Sequence, residues 1–437
     1  MKKTICLISL GCPKNLVDSE KILGDLVNNG FIITAEPKDA DYIIINTCAF
    51  IQPAVKESLD VINEIKKIKK KTDCKIIVFG CLSKLYRDSL SRDKDIDAVV
   101  HPDNLYQISS ILKSLDFNKS YQKYISAINE FNYQLKKRPR VILTYPYAYL
   151  KITEGCNHGC SYCLIPKIRG PHKSYPEKEI IKEAKNLADF GIKEIILVGH
   201  DITSYGIDNG KKDYLPQIIE KLLPMNFKWI RLLYLRTEKI SEKLIELISN
   251  NQKMCKYLDI PLQHIHPDIL KKMNRPVIDY EKIIEKLRKY IPGICLRTTF
   301  IVGFPGETKK HYQFLMDFVK KIKFDRMGAF PYYREKQTSA YNLPHQVPEK
   351  EKIERLNKIM SIQKDILKNK LKKLIGENVE VLIDKKTKNQ LIGRTQCDAP
   401  DIDCEVQITG NAKIGDIVNV KITKTSAYTL TGIINKK

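Results

Sequence analysis

The chain has 437 residues, 43% of them hydrophobic, with 75 Lys and Arg against 51 Asp and Glu for a net charge of +24. That length holds two or three domains, each able to bury a core. Twelve cysteines in so long a chain exclude a dense disulfide scaffold and favour metal chemistry in a reducing, cytoplasmic setting. No apolar run approaches the ~20 residues of a membrane-spanning helix, so no membrane association is expected. The charge points to a polyanionic partner, a nucleic acid or ribonucleoprotein, with plain lysine enrichment as the alternative.

The first residues resemble a weak signal peptide, but the apolar stretch is short and broken by Gly11, Pro13 and Lys14, so Thr4–Leu10 reads as a strand. Leu16–Asn29 has helical spacing, Tyr42–Asn46 is a second apolar strand, Pro53–Lys70 is helical, and Lys75–Phe79 is a third strand. This alternation predicts a parallel α/β sheet over residues 1–117. Cys12, Cys48 and Cys81 each fall just past the carboxyl end of a strand. In a parallel sheet those ends share the edge that binds ligands. Three converging thiolates suit an iron–sulfur cluster with one open iron. The plainer reading is three buried cysteines acting as small hydrophobes. Cys6 lies within a strand and Cys74 precedes one, so neither joins them.

Residues 118–146 are polar and tyrosine-rich and read as a connector. Tyr147–Thr153 is then a strand, followed at once by Cys156, Cys160 and Cys163 at C-x3-C-x2-C spacing. Zinc prefers four ligands in paired sets, and His158 lies too far inside the loop to complete a tetrahedron without strain. Three thiolates on one loop instead fit three irons of a [4Fe–4S] cluster, leaving the fourth iron open. Further strands are expected at Glu194–Gly199, Trp229–Leu235, Tyr257–Ile260, Cys295–Gly303 and Arg326–Pro331. With the intervening helices they predict a partial (β/α) barrel over residues 147–370, with chemistry at the carboxyl ends of its strands. Gly199 and Gly303 stand at such ends, where a missing side chain allows a cofactor close approach. After a long helix at Pro348–Leu374, five short strands between Val379 and Ile434 predict a small β-barrel over residues 371–437. Residues 137–370 carry +18 of the net charge. The terminal segment contains an acidic run, Asp398-Ala399-Pro400-Asp401-Ile402-Asp403-Cys404-Glu405. Such a run repels phosphates and attracts a basic protein, or is simply a solvated turn.

The C-x3-C-x2-C loop, with Tyr162 before its third cysteine, resembles that of radical S-adenosylmethionine (SAM) enzymes. The three-part order resembles the methylthiotransferase family over essentially the whole chain. The stretches Ser9–Glu20, Pro261–His264 and Asp398–Asp403 are similar to the branch that modifies an aspartate of small-subunit ribosomal protein twelve. Cys404 and His200 depart from that branch's usual glycine and glutamine. The resemblance implies two [4Fe–4S] clusters, an auxiliary one on Cys12, Cys48 and Cys81 and a SAM-binding one on Cys156, Cys160 and Cys163. The terminal barrel would be a TRAM domain. It further implies a SAM-derived radical that takes hydrogen from the aspartate β-carbon, sulfur delivered from the auxiliary cluster, and a methyl group from a second SAM. Tyr162, Gly199, Arg297 and Gly303 are the expected SAM contacts; Asp398, Asp401 and Asp403 are the expected substrate contacts. No catalytic residue is assigned beyond the cluster ligands. The expected partners are the ribosomal protein or the small subunit and an electron donor such as flavodoxin or ferredoxin. The alternatives are a tRNA isopentenyladenosine methylthiotransferase and, more distantly, a non-catalytic iron–sulfur RNA-binding protein.

Overall fold

The computed structural model describes residues 3–117, 124–125 and 140–435. These form two compact units: residues 1–143 with 163–171, and residues 144–162 with 172–437. The chain thus passes from one unit to the other within the C-x3-C-x2-C loop, between Tyr162 and Cys163.

The first unit is a six-stranded parallel sheet. Its strands are β1 (Thr4–Ser9), β2 (Ile32–Ile33), β3 (Tyr42–Thr47), β4 (Lys75–Gly80), β5 (Ala98–Val100) and β6 (Tyr124–Ile125), in the order β2-β1-β3-β4-β5-β6. β3 is buried along its whole length, as a central strand covered on both faces must be. Its side chains alternate. Ile43 and Ile45 join one core with Ile76 and Val78, while Tyr42 and Ile44 join the other with Ile77 and Phe79. The helix Gln52–Lys69 buries Val55, Ser58, Ile62 and Ile65, a stripe three to four residues apart. The helix Pro13–Asn28 starts earlier than the sequence suggests, because Pro13 fits the first helical turn and Cys12 takes the extended cap position. Tyr124–Ile125 pair with β5, and most of the 118–146 connector lies outside the described residues.

The second unit holds a parallel sheet of six strands in sequential order: β7 (Tyr147–Lys151), β10 (Glu194–Val198), β11 (Trp229–Leu232), β12 (Met254–Asp259), β13 (Cys295–Val302) and β14 (Arg326–Pro331). The short pair β8 (Thr153–Glu154) and β9 (Lys173–Ser174) flanks the first of them. Sequential parallel strands with helical crossovers are the (β/α) pattern expected from the sequence. A closed five-stranded barrel follows, from β15 (Asn378–Lys386), β16 (Leu391–Arg394), β17 (Glu405–Thr409), β18 (Ile417–Thr425) and β19 (Thr429–Ile434). The helix Glu349–Lys372 lends Leu367 and Leu371 to its core.

This barrel is seated at the amino-terminal ends of the parallel strands. Arg394 binds Glu194, the first residue of β10, at 2.7 Å; Glu194 in turn holds Arg231 of β11 at 2.6 Å. A disulfide joins Cys295, the first residue of β13, to Cys397. The carboxyl ends are left to the site. Two carboxylates of the acidic run, Asp398 and Asp403, turn into this seam instead of lying open to a basic partner. Asp398 is fully buried and accepts from Arg326 Nε at 2.8 Å, Thr395 Oγ1 at 2.6 Å and the Cys404 amide at 3.1 Å. The Asp403 carboxylate is covered, with 2% of its side chain exposed; it accepts from the Tyr257 hydroxyl at 2.7 Å and lies 3.4 Å from Arg297. The carboxylates turn inward because Arg326 and Arg297 of the parallel sheet face them, and a buried charge needs a partner. Asp401 alone stays exposed, in the left-handed region, and accepts from Tyr147 at 3.2 Å.

Candidate functional site

Strands β1, β3 and β4 are neighbours, and Asn46 pairs with both Ser9 and Phe79 in register. Cys12, Cys48 and Cys81 therefore emerge side by side at one sheet edge. A Cβ at Gly11 would lie 2.7 Å from Cys48 Cβ, and a Cβ at Gly80 2.4 Å from Asn46 Oδ1. Gly80 also holds φ +95°, which non-glycine residues reach only with strain. These two glycines let the thiols crowd together. Ser58 Oγ grips the Cys48 backbone twice, accepting from its amide at 3.0 Å and donating to its carbonyl at 2.8 Å. Burial, then the neighbouring Cys81 sulfur, pushes the Cys48 thiol up to about 12. Three sulfurs so placed resist ionising together unless positive metal compensates them.

Asn15 lies under this triad. Its Nδ2 donates to the Leu10 and Thr47 carbonyls at 3.0 Å each, which ties the loops after β1 and β3 together. Its Oδ1 lies 3.8 Å from Cys81 Sγ and accepts from Arg169 Nη2 at 2.5 Å.

In the second unit, Cys156 and Cys160 follow β8. His158 does not reach for a fourth metal position: its Nε2 meets Asp201 Oδ2 at 2.6 Å. Burial alone would raise the Asp201 carboxyl, but hydrogen bonds from His158, Ser204 and Thr203 overcome it and hold the group well below the carboxylate range. Asn274 Nδ2 donates to the Gly159 carbonyl at 2.9 Å, and Ser161 donates from its amide and hydroxyl to the Met273 and Lys272 carbonyls. Arg236 Nη1 lies 3.8 Å from Cys160 Sγ. The loop is thus clamped by the chain's own side chains and backbone.

The expected SAM contacts divide. The Tyr162 hydroxyl faces Arg275 Nη1 at 3.4 Å, and its ring stands edge-on to Phe304. Gly199 and Gly303 do stand at strand ends, but protein atoms fill the space of their missing side chains. A Cβ at Gly199 would lie 2.1 Å from Thr153 Oγ1, and one at Gly303 2.4 Å from Lys352 Cγ. Internal packing by itself requires glycine at both positions. Arg297 is engaged by Asp259 at 3.0 Å and sits beside Asp403, which places it in the seam with the terminal barrel. Sequence reasoning missed Asn15, Ser58, Arg169 and Asp201. Asn15 lies in the stretch Ser9–Glu20 and Asp201 directly follows His200, but Arg169 and Ser58 carry no local signal.

A parallel barrel with a three-cysteine loop, preceded by a cysteine-bearing α/β sheet, defines a radical SAM enzyme with an added thiolate domain. Family models agree: the Radical SAM superfamily matches residues 150–319, Uncharacterized protein family UPF0004 residues 4–101, and the TRAM domain residues 375–434. A ribosomal protein uS12 methylthiotransferase RimO from Carboxydothermus hydrogenoformans is 42% identical over 435 residues, covering 98% of each chain. The like-named protein of Clostridioides difficile is 43% identical over 439 residues, again covering 98% of each. The chain belongs to the RimO family of methylthiotransferases. In fold it is similar to the radical SAM methyltransferase TsrM of Kitasatospora setae, with a TM-score of 0.58 at 13% identity over 78% of this chain and 77% of that one.

Proposed function

We propose that the protein replaces a hydrogen on the β-carbon of an aspartate in ribosomal protein uS12 with a methylthio group, using SAM and two [4Fe–4S] clusters. The observation that carries this reading is the second thiol triad, at the carboxyl edge of β1, β3 and β4, in a chain that also bears the C-x3-C-x2-C loop. The donor chemistry fits: each motif offers three sulfurs, and His158, which lies within the second, is occupied by Asp201. With SAM and both clusters bound, the cofactors supply one-electron chemistry that no acidic or basic side chain can, namely activation of an unactivated C–H bond and storage of a sulfur atom. The chain's own residues hold geometry. Asn15 and Ser58 fix the first triad, while Asp201, Asn274 and Ser161 fix the loop of the second. Tyr162 remains a SAM contact in this reading, and a flavodoxin or ferredoxin supplies the electron.

Mass spectrometry of uS12 and of bulk tRNA, from cells with and without the gene, tests this. The expected result is a methylthio group on uS12 that disappears with the gene. A methylthioadenosine that depends on the gene would move the protein to the tRNA branch. Anaerobic reconstitution should give about eight irons per chain, and about four after Cys156, Cys160 and Cys163 are changed to Ala.

A further inference from the structure

The first unit contains a buried cation that the thiol triad by itself does not explain. Residues 163–171 belong to this unit, and they fold into it by apolar packing. Leu164 and Ile168 are buried in the same core as Cys81 and Leu82. The short helix Ile165–Arg169 ends on Arg169, which is itself buried. Its guanidinium donates to Asp18 Oδ2 at 2.9 Å and to Asn15 Oδ1 at 2.5 Å. Asp18 is buried too, so the pair is a desolvated one, strongly felt by its neighbours.

Asn15 Oδ1 is also the atom 3.8 Å from Cys81 Sγ. When that sulfur is a thiol, it donates to the amide oxygen. As a metal-bound thiolate it can donate nothing, and the oxygen's dipole then points at a negative sulfur. A guanidinium bonded to the same oxygen offsets that repulsion. We propose that Arg169 is a positioning cation for the Cys12/Cys48/Cys81 site: anchored by Asp18 and presented through Asn15, it balances the negative charge of a thiolate-held cluster and raises its reduction potential. This rests on the two-cluster reading above. The principle is general, since hydrogen bonds and net charge around the sulfurs set cluster potentials.

The test is an EPR-monitored redox titration on the Cys156/Cys160/Cys163→Ala variant, which isolates the triad's cluster. Adding Arg169→Met should shift the midpoint to more negative potential, and Arg169→Lys should restore most of the shift. Asp18→Asn should shift it the opposite way, because a negative charge is removed. A merely structural role would not give shifts of opposite sign. Unchanged midpoints at unchanged iron content in both Arg169→Met and Asp18→Asn would overturn the proposal. If the parent variant holds no iron after reconstitution, the two-cluster reading falls instead. Should Arg169→Met fail to hold a cluster, Asp18→Asn decides: a positive shift supports the proposal and no shift overturns it.

Discussion

Two glycines with left-handed backbones make contrasting demands in the first unit. Gly80 has φ +95° and would place a Cβ 2.4 Å from Asn46 Oδ1 and 2.6 Å from the Thr47 carbonyl. Gly30 has φ +87° with nothing within 4 Å. Gly30→Ala should therefore cost only the backbone strain, ~1 kcal/mol. Gly80→Ala adds overpacking against backbone and should cost ~2–4 kcal/mol. Urea denaturation followed by circular dichroism checks this; equal costs at the two positions would show that crowding beside Cys81 is relieved at no expense. The cysteines depend on such neighbours, since Cys48 is held by Ser58 and Cys81 directly follows Gly80. None of those supporting roles is visible from residue type alone.

At the scale of the element, the acidic loop after β16 joins the terminal barrel to the parallel sheet. Asp398 accepts four hydrogen bonds, two of them from the buried Arg326. Asp398→Ala leaves that guanidinium buried without its counter-charge, so destabilisation of ~3–5 kcal/mol is expected. Because the pair is buried, raising salt from 0.1 to 1 M should change this loss little. A salt-sensitive loss of uS12 binding with unchanged stability would contradict the seam and restore a recognition role to Asp398. The barrel itself was legible from turn chemistry and alternating strands. The destination of its loop was not, because inward and outward carboxylates have the same sequence signature.

At the scale of the whole molecule, buried carboxylates predict acid sensitivity. Burial would raise Glu194, but Arg231 and Arg394 outweigh it and hold the carboxyl low; Asp201 and Glu307 are also held low. A carboxyl lower in the folded chain contributes stability that is complete above its unfolded value, about 4, and is lost as pH falls through the folded value. Asp384 and Asp403, raised chiefly by burial, run the other way and soften the slope. The urea midpoint should fall below about pH 4, and Glu194→Gln should flatten part of that fall. A midpoint unchanged between pH 5 and pH 3 would refute the assignment. No helix among the described residues is long and apolar enough to cross a membrane.

What the sequence determined by itself is local or follows from a rule of topology. Apolar runs fixed β1, β3 and β4, parallel pairing sends their carboxyl ends to one edge, and so Cys12, Cys48 and Cys81 could be brought together on paper. The Cys156–Cys163 spacing carries its chemistry within eight residues. What only the tertiary structure decided are partnerships between distant residues: Asp18 with Arg169 across 151 positions, Arg326 with Asp398 across 72, and Cys295 with Cys397 across 102. A charge count cannot tell a carboxylate that meets solvent from one that meets a buried guanidinium. That choice is made by desolvation, which exists only once the chain has closed around both groups.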